Sequence, residues 1–90
     1  MSTTVRGQIR TIAVTMQPGK AAGDHTIDGH LPASGSLLIS VRQIAAAFAN
    51  NGTDRTGEFS ITGHNLINNT GGTDTTGDFI IVTYAVPASL

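Results

Sequence analysis

Residues 24–30, Asp-His-Thr-Ile-Asp-Gly-His, place two histidines and two aspartates within one short stretch. If this stretch is a β-strand, Asp24, Asp28 and His30 point to one face, because side chains alternate along a strand. Carboxylate oxygens and an imidazole nitrogen are suitable ligands for a divalent metal ion. The stretch is therefore the first place in the sequence to look for a metal or catalytic site.

A second, shorter copy of the pattern points away from metal chemistry. Residues 60–64, Ser-Ile-Thr-Gly-His, share Ile-x-Gly-His with residues 27–30 but contain no carboxylate. What recurs is an inward isoleucine, an outward polar residue, a glycine and a histidine. A glycine inside a strand is typical of a bend or bulge, so we expect one at Gly29 and one at Gly63. We expect neither a bound metal nor a cofactor.

Other chemical sites have little support in the sequence. Asp74 and Asp78 could bind calcium, but the order of acids around a central glycine that is typical of an EF-hand is missing. No serine lies in a G-x-S-x-G nucleophile motif, so we expect no enzyme activity. Arg6 and Arg10 are too few, on a chain of net charge −1, to indicate nucleic-acid binding.

The composition indicates a small domain that associates with other protein. Ninety residues form at most one domain, and the chain has no cysteine to reinforce a core of this size. Only 12% of the residues are charged, about half the usual share. No stretch reaches the ~18 apolar residues of a membrane span, and residues 1–6 lack the apolar segment of a signal peptide. We expect a protein made in a cytoplasm, with surface that contacts protein and no membrane partner.

The apolar pattern predicts β-strands separated by turns. β-branched residues favour a strand over 5–16, and a change of apolar parity within it predicts a bulge near residues 10–11. Residues 17–20, Gln-Pro-Gly-Lys, predict a turn, and 25–31 a short strand. A further strand is expected over 36–42.

Residues 43–49 are compatible with two structures. Val41, Ile44, Ala45 and Phe48 have helical spacing, and three consecutive alanines favour a helix. Continued strand is slightly preferred, because the repeat that follows is built from loops and strands.

A repeat at an offset of 20 residues relates Thr53–Ile61 to Thr73–Ile81. Both copies run from a loop rich in Asn, Gly and Thr into a strand that begins with an acidic residue and a phenylalanine. Asp54 and Asp74 are expected to accept a hydrogen bond from the backbone N–H two residues later, which closes the loop as an Asx-turn. The glycines expected to complete these loops with positive φ are Gly57 and Gly77.

The last strand, residues 78–87, is apolar on both faces. We expect its Phe79 and Ile81 to face the core, and Tyr84 and Val86 to lie at a contact with another subunit. The residues expected to form the core are Ile9, Val14, Ile27, Leu37, Ile39, Val41, Phe59, Ile61, Phe79 and Ile81.

Together these elements predict an all-β fold, either an antiparallel β-sandwich or a barrel-like meander, with a short helix near 43–49 as the remaining alternative. Residues 1–90 would form a single β domain with short extended arms at both ends. The first arm carries Thr3, Val5 and Arg6, which we expect to contact a partner, because an arm can add a strand to a neighbour's open edge.

The Thr-rich segment STTVRGQIRTIAVTM, the Asn/Gly/Thr loops and the closing segment FIIVTYAVPASL resemble small all-β virion proteins of tailed bacteriophages. These are the decoration or cement proteins that bind to a capsid lattice. The resemblance implies a structural protein of a virion that is assembled in the host cytoplasm. It implies as partners a larger capsid or particle protein and copies of the chain itself, with a trimer favoured.

The alternative is a small carbohydrate- or peptide-binding β module. Sugar-binding surfaces favour exposed aromatic rings, whereas this chain has no tryptophan, one tyrosine and three phenylalanines. The composition therefore favours the structural role.

Overall fold

The computed structural model describes residues 10–47 and 52–87, whose regular structure is almost entirely β. Two antiparallel sheets pack against each other, which confirms the expected all-β, sandwich-like fold. The arm expected at the start of the chain, and residues 88–90 of the arm expected at its end, lie outside the described residues, whereas Val86 and Pro87 belong to the last strand. The strands are β1 Arg10–Pro18, β2 Gly23–Thr26, β3 Leu37–Ile44, β4 Thr53–Asp54, β5 Phe59–Gly63, β6 Leu66–Asn69 and β7 Phe79–Pro87, with a 3-10 helix at Thr56–Glu58.

The larger sheet, sheet A, has the strand order β1-β7-β3-β4. The last strand, β7, lies between β1 and β3 and pairs with both in antiparallel orientation. Its register with β1 is unbroken from the pair Arg10–Pro87 to the pair Pro18–Phe79. The bulge expected near residues 10–11 is therefore absent from the described part of β1. The irregularity of sheet A lies in β3, between Leu38 and Ser40.

The smaller sheet, sheet B, has the strand order β2-β6-β5. β5 and β6 form a hairpin whose register shifts between Ile61 and Gly63, as the glycine in that strand predicts. β2 ends at Thr26, so the strand expected over 25–31 is shorter than predicted. Gly29 lies in a bend beyond the end of β2, in the connection to β3.

The core lies between the two sheets and is closed at one side by the β2–β3 connection. Burying a large apolar side chain contributes ~1.5–3 kcal/mol, so a handful of such residues supplies much of the stability of a small domain. The buried cluster consists of Val41, Ile80, Val82 and Tyr84 from sheet A, Phe59 and Ile67 from sheet B, and Ile27 and Leu31 from the connection.

The predicted core is right for Ile27, Val41 and Phe59, which are buried. On β7 the predicted parity is wrong, because Ile80, Val82 and Tyr84 face sheet B. Phe79 and Ile81 are only half-buried, on the opposite face, and Ile61 is half-buried at the margin of the core. Ile9 lies outside the described residues. A strand that is apolar on both faces leaves this choice open in the sequence.

The β3 bulge explains a second error in the predicted core. An extra residue in a strand switches the face on which the following side chains lie. Leu38 packs against the core before the bulge and Val41 is buried after it. Leu37 and Ile39, which were expected inside, are therefore 56% and 41% exposed.

On β1 the side that faces the core carries small and polar side chains. Gln17 is buried there, where its Nε2 donates to the Thr26 carbonyl at 2.7 Å and its Oε1 accepts from the Asp28 N–H at 3.1 Å. These bonds satisfy the backbone of the β2–β3 connection, which a leucine or valine could not do. The larger apolar residues of β1 take the other parity, and Val14, expected in the core, is 61% exposed.

The continued strand predicted for residues 43–49 is right only for 43 and 44 and wrong for 45–47. β3 continues to Ile44, and Ala46 and Ala47 lie in a turn. The alternative of a helix is wrong for residues 43–47, whereas 48 and 49 lie outside the described residues. In the described part of the chain, no helix has the length and apolar character needed to cross a membrane.

Candidate functional site

The histidine- and aspartate-rich stretch 24–30 is divided between a strand and a loop, and its side chains have separate roles. The carboxylate of Asp24 accepts a hydrogen bond from Asn68 Nδ2 at 2.8 Å, on the outside of sheet B. His25 points the other way and is buried, with its ring edge-on to Phe59 at 5.2 Å between centroids. Its Nδ1 donates to the Gly23 carbonyl at 3.0 Å. No group of three or more His, Asp or Glu side chains suited to a metal ion occurs within residues 10–47 and 52–87.

The two Ile-x-Gly-His copies meet in space. His30 and His64 lie with ring centroids 6.1 Å apart at an interplanar angle of 80°. His64 Nδ1 also accepts the Ala33 N–H at 3.3 Å, so its Nε2 carries the proton in the neutral ring. The Nδ1 lone pair of His64, which a metal ion would need in this tautomer, already accepts the Ala33 N–H. The ring contact and the Ala33–His64 bond therefore link the β2–β3 connection to the turn of the β5–β6 hairpin.

The repeated acidic loops close as the sequence predicts. Asp54 Oδ1 accepts the Thr56 N–H and Asp74 Oδ1 accepts the Thr76 N–H, each at 2.9 Å. The pKa of Asp54 is lowered mainly by the hydrogen bond from the Thr56 side chain and, second, by that from the Thr56 backbone. Thr76 lowers the pKa of Asp74 in the same way. Gly77 has the expected positive φ of 90°, whereas Gly57 lies in the 3-10 helix and lacks it.

Asp78 and Glu58, the acidic residues that precede Phe79 and Phe59 in the two repeat copies, are linked by side chains through Gln43 of β3. Gln43 Nε2 donates to Asp78 Oδ2 at 2.6 Å, and Gln43 Oε1 accepts from Arg55 Nε at 2.9 Å. Arg55 in turn pairs with Glu58 at 3.1 Å. Hydrogen bonding from Thr73, together with the Arg55 charge, lowers the pKa of Glu58. Both acids therefore serve to attach their loops to sheet A.

The residues predicted to contact partners are distributed differently from expectation. Thr3, Val5 and Arg6 lie outside the described residues. Tyr84 is 1% exposed, because β7 turns it toward sheet B, and so its side chain is covered within the chain itself. Val86 is half-buried and packs against the same core. The Tyr84 ring is therefore not available for the subunit contact that the sequence predicted.

The outer face of sheet A is the most unusual surface of the described residues. We call it the apolar face. The register places Ile12 beside Ala85 and Leu37, and Met16 beside Ile81, so that apolar side chains from three strands are neighbours. Its exposed members are Ile12 at 57%, Val14 at 61%, Met16 at 49%, Leu37 at 56% and Ile39, in the bulge, at 41%.

The outer face of sheet B has the opposite character. Asp24, Asn68 and Ser60 are register partners across its three strands, and Thr26 and Thr62 are also exposed. All these side chains bind water well. Since exposed large apolar residues on soluble domains usually occur singly, the concentration of five on one sheet face makes it the candidate contact surface.

This surface was missed because three of its five exposed members, Val14, Leu37 and Ile39, were predicted to lie in the core. Ile12, Val14 and Met16 share one parity on β1, while Ala13, Thr15 and Gln17 share the other. The alternation itself was visible in the sequence. Nothing in the sequence showed that the polar parity would face inward, because the backbone groups bonded by Gln17 belong to a distant loop.

No protein family, curated protein or solved structure matches this chain.

Proposed function

We propose that this protein is a structural subunit that binds to a larger protein assembly through the apolar face. The carrying observation is the contrast between the outer faces of the two sheets. One presents Ile12, Val14, Met16, Leu37 and Ile39, and the other presents threonine, serine, asparagine and aspartate. Covering such a face with protein is favourable, by ~25 cal/mol for each Å² of apolar surface removed from water.

The specific assembly that we propose is a virion, with this chain as a decoration or cement protein on a capsid lattice. The low charge content of 12% supports contact with protein, since charged residues are depleted at the centre of interfaces. A lattice offers the same site many times. Contacts that are individually weak can then hold a small subunit firmly when it engages more than one of them.

Co-sedimentation with assembled particles of the coat protein encoded nearest to this chain's gene tests the proposal. We expect saturable binding to particles and weaker binding to unassembled coat subunits. Leu37→Lys, on the apolar face, should weaken binding by about tenfold or more, equivalent to ~1.4 kcal/mol. Ser60→Lys is the matched control, because it adds the same charge to the exposed face of sheet B.

Two results would contradict the proposal. If Leu37→Lys and Ser60→Lys bind particles as the native chain does, the apolar face is not the contact surface. If the native chain ignores particles and binds a glycan or a peptide, the protein is a binding module and the structural role is wrong.

A further inference from the structure

The outer edge of β1 is the longest unpaired strand edge in the described residues. β1 has nine residues, whereas the other edge strands are β4 with two, β2 with four and β5 with five. Natural sheets protect their edges with short strands, charges and bulges. β4 and β2 carry Asp54 and Asp24, and β5 has a register shift at Gly63. The central part of β1 has none of these features.

The hydrogen-bond pattern identifies which backbone groups of β1 point outward. Gly19 N donates to Asp78 O at 2.9 Å, in the same register as the β1–β7 pairs. In an antiparallel ladder, hydrogen-bonded and non-bonded pairs alternate. The residues of β1 that bond β7 are therefore Thr11, Ala13, Thr15 and Gln17. The residues whose N–H and C=O groups point to the open edge are Ile12, Val14 and Met16.

An independent observation gives the same assignment. The Val41 backbone bonds away from β7, to Arg55 N at 2.7 Å and Thr56 Oγ1 at 3.1 Å. Its partner on β7 is Val82, whose backbone groups must therefore point to β1. Val82 pairs with Thr15. Thr15 thus faces β7, and the residues on either side of it face the edge.

We propose that two copies of this chain pair through this edge, β1 against β1, in antiparallel orientation about a two-fold axis at Val14. In that register Val14 lies opposite the partner's Val14, and Ile12 lies opposite the partner's Met16. Every residue with edge-facing groups then meets another one, so each pair exchanges both of its backbone hydrogen bonds. Arg10 meets the partner's Pro18, which accepts but cannot donate, and the ladder ends there.

The side chains of the same three residues are compatible with this contact. No charged residue lies between Arg10 and Lys20, so like charges do not meet near the axis. Ile12, Val14 and Met16 are each about half exposed or more on the apolar face, and pairing places them beside their counterparts. Apolar cross-strand neighbours of this kind stabilise a sheet. The two apolar faces become one continuous surface.

This pairing goes beyond the proposed function, because it names a second copy as a partner at the margin of the apolar face. A contact between two strand edges buries less than the ~1,600 Å² of a standard interface. We therefore expect a reversible dimer that forms as concentration rises. The trimer implied by the resemblance to decoration proteins would need a different contact.

Sedimentation equilibrium of the chain alone tests the pairing. The native mass should rise from 9.3 kDa toward twice that value with increasing concentration. Val14→Lys should remain at the monomer mass, because it places like charges opposite each other at the axis, whereas Val14→Thr should still dimerise. Mixing Val14→Lys with Val14→Glu should restore the dimer. A native chain that stays monomeric up to millimolar concentration, or that forms a trimer, overturns the inference.

Single cysteines test the register, since the chain has none of its own. Val14→Cys should form a disulfide-linked dimer on oxidation, because opposed Cα atoms lie ~5.5 Å apart in a hydrogen-bonded pair. Ile12→Cys is the matched control on the same strand and face. Its two copies would be four residues apart along the ladder, about 13 Å, which is too far for a disulfide.

The register also predicts that Ile12→Cys and Met16→Cys, mixed, form a heterodimer through a disulfide. Cross-linking of Ile12→Cys with itself as fast as that of Val14→Cys overturns the inference. These measurements use the chain alone, so they succeed or fail separately from particle binding. A chain that dimerises but ignores particles keeps this inference and loses the proposed function, and the reverse result does the opposite.

Discussion

Ile80 and Ile81 are neighbours on β7, and the structure completely buries the first while leaving the second half-buried on the apolar face. The two residues represent the two faces of β7, one packed against sheet B and the other on the outside of sheet A. Ile80 and its parity hold sheet A to sheet B. Ile81 and its parity belong to the surface that we propose to contact other protein.

This relationship predicts losses of stability of different size for two similar substitutions. Ile80→Ala removes a fully buried side chain and should lower the free energy of unfolding by ~2–5 kcal/mol. Ile81→Ala removes a half-exposed one and should cost less than about 1.5 kcal/mol. Urea denaturation of both variants measures the difference. A larger loss for Ile81→Ala would mean that the parity of β7 has been assigned wrongly.

Gln17 should be essential for the position of the β2–β3 connection. Gln17→Leu leaves the Thr26 carbonyl and the Asp28 N–H without the bonds that the buried amide makes. A fully buried unpaired group costs ~1–3 kcal/mol, and Thr26 and Asp28 are exposed residues, so we expect a loss of stability toward the lower end of that range. Hydrogen exchange of the Asp28 amide gives a local measurement, because its protection should fall sharply.

Thr11→Ala is the control for Gln17, since Thr11 lies on the same strand and is exposed. It should change the free energy of unfolding by no more than about 0.5 kcal/mol. If Gln17→Leu leaves both stability and the Asp28 exchange rate unchanged, the amide does not hold the connection.

Local chemistry in this sequence predicted local structure well. The Asx-turns at Asp54 and Asp74 were predicted because an aspartate and a threonine two residues apart are sufficient to form them. The register shift at Gly63 was predicted on similar grounds. The presence of strands over most of 36–42 and 78–87 followed from runs of β-branched residues.

The sequence did not reveal which face of each strand lies inward. That choice depends on contacts between distant segments, such as the bonds from Gln17 to Thr26 and Asp28, and on the bulge after Leu38. One extra residue in β3 reverses the faces for Leu37 and Val41, with no signal such as a glycine to mark it. The candidate contact surface was missed for the same reason, because Val14, Leu37 and Ile39 were assigned to the core.

The acidic loops predict a specific acid sensitivity. Asp54 and Asp74 have an ordinary pKa of 3.8, and hydrogen bonds from Thr56 and Thr76 lower it in the folded chain. A lowered folded-state pKa contributes stability that is complete well above pH 3.8 and is lost as the pH falls through the folded value. Stability should therefore decline as the pH falls below about 4.

The double variant Asp54→Asn, Asp74→Asn should lose stability less steeply than the native chain over that acidic range. An asparagine oxygen can still accept the Thr56 and Thr76 N–H groups, so the loops stay closed without a titrating charge. Thermal unfolding from about pH 6 to about pH 2 measures the two slopes. Equal slopes would show that these carboxylates do not contribute to acid unfolding.

The two repeat copies provide a matched pair of glycines for the last prediction. Gly77 has φ of 90°, a conformation that disfavours any residue with a Cβ, whereas Gly57 lies in the 3-10 helix and has no such requirement. A Cβ would meet no atom within 4 Å at either position, so packing does not contribute to the comparison. Gly77→Ala should therefore destabilise the chain by ~1–2 kcal/mol. Gly57→Ala should be neutral, or stabilise by up to about 1 kcal/mol, because alanine restricts the unfolded chain. Paired denaturation curves decide the matter, and equal effects at the two positions would show that the repeat copies have the same backbone in solution.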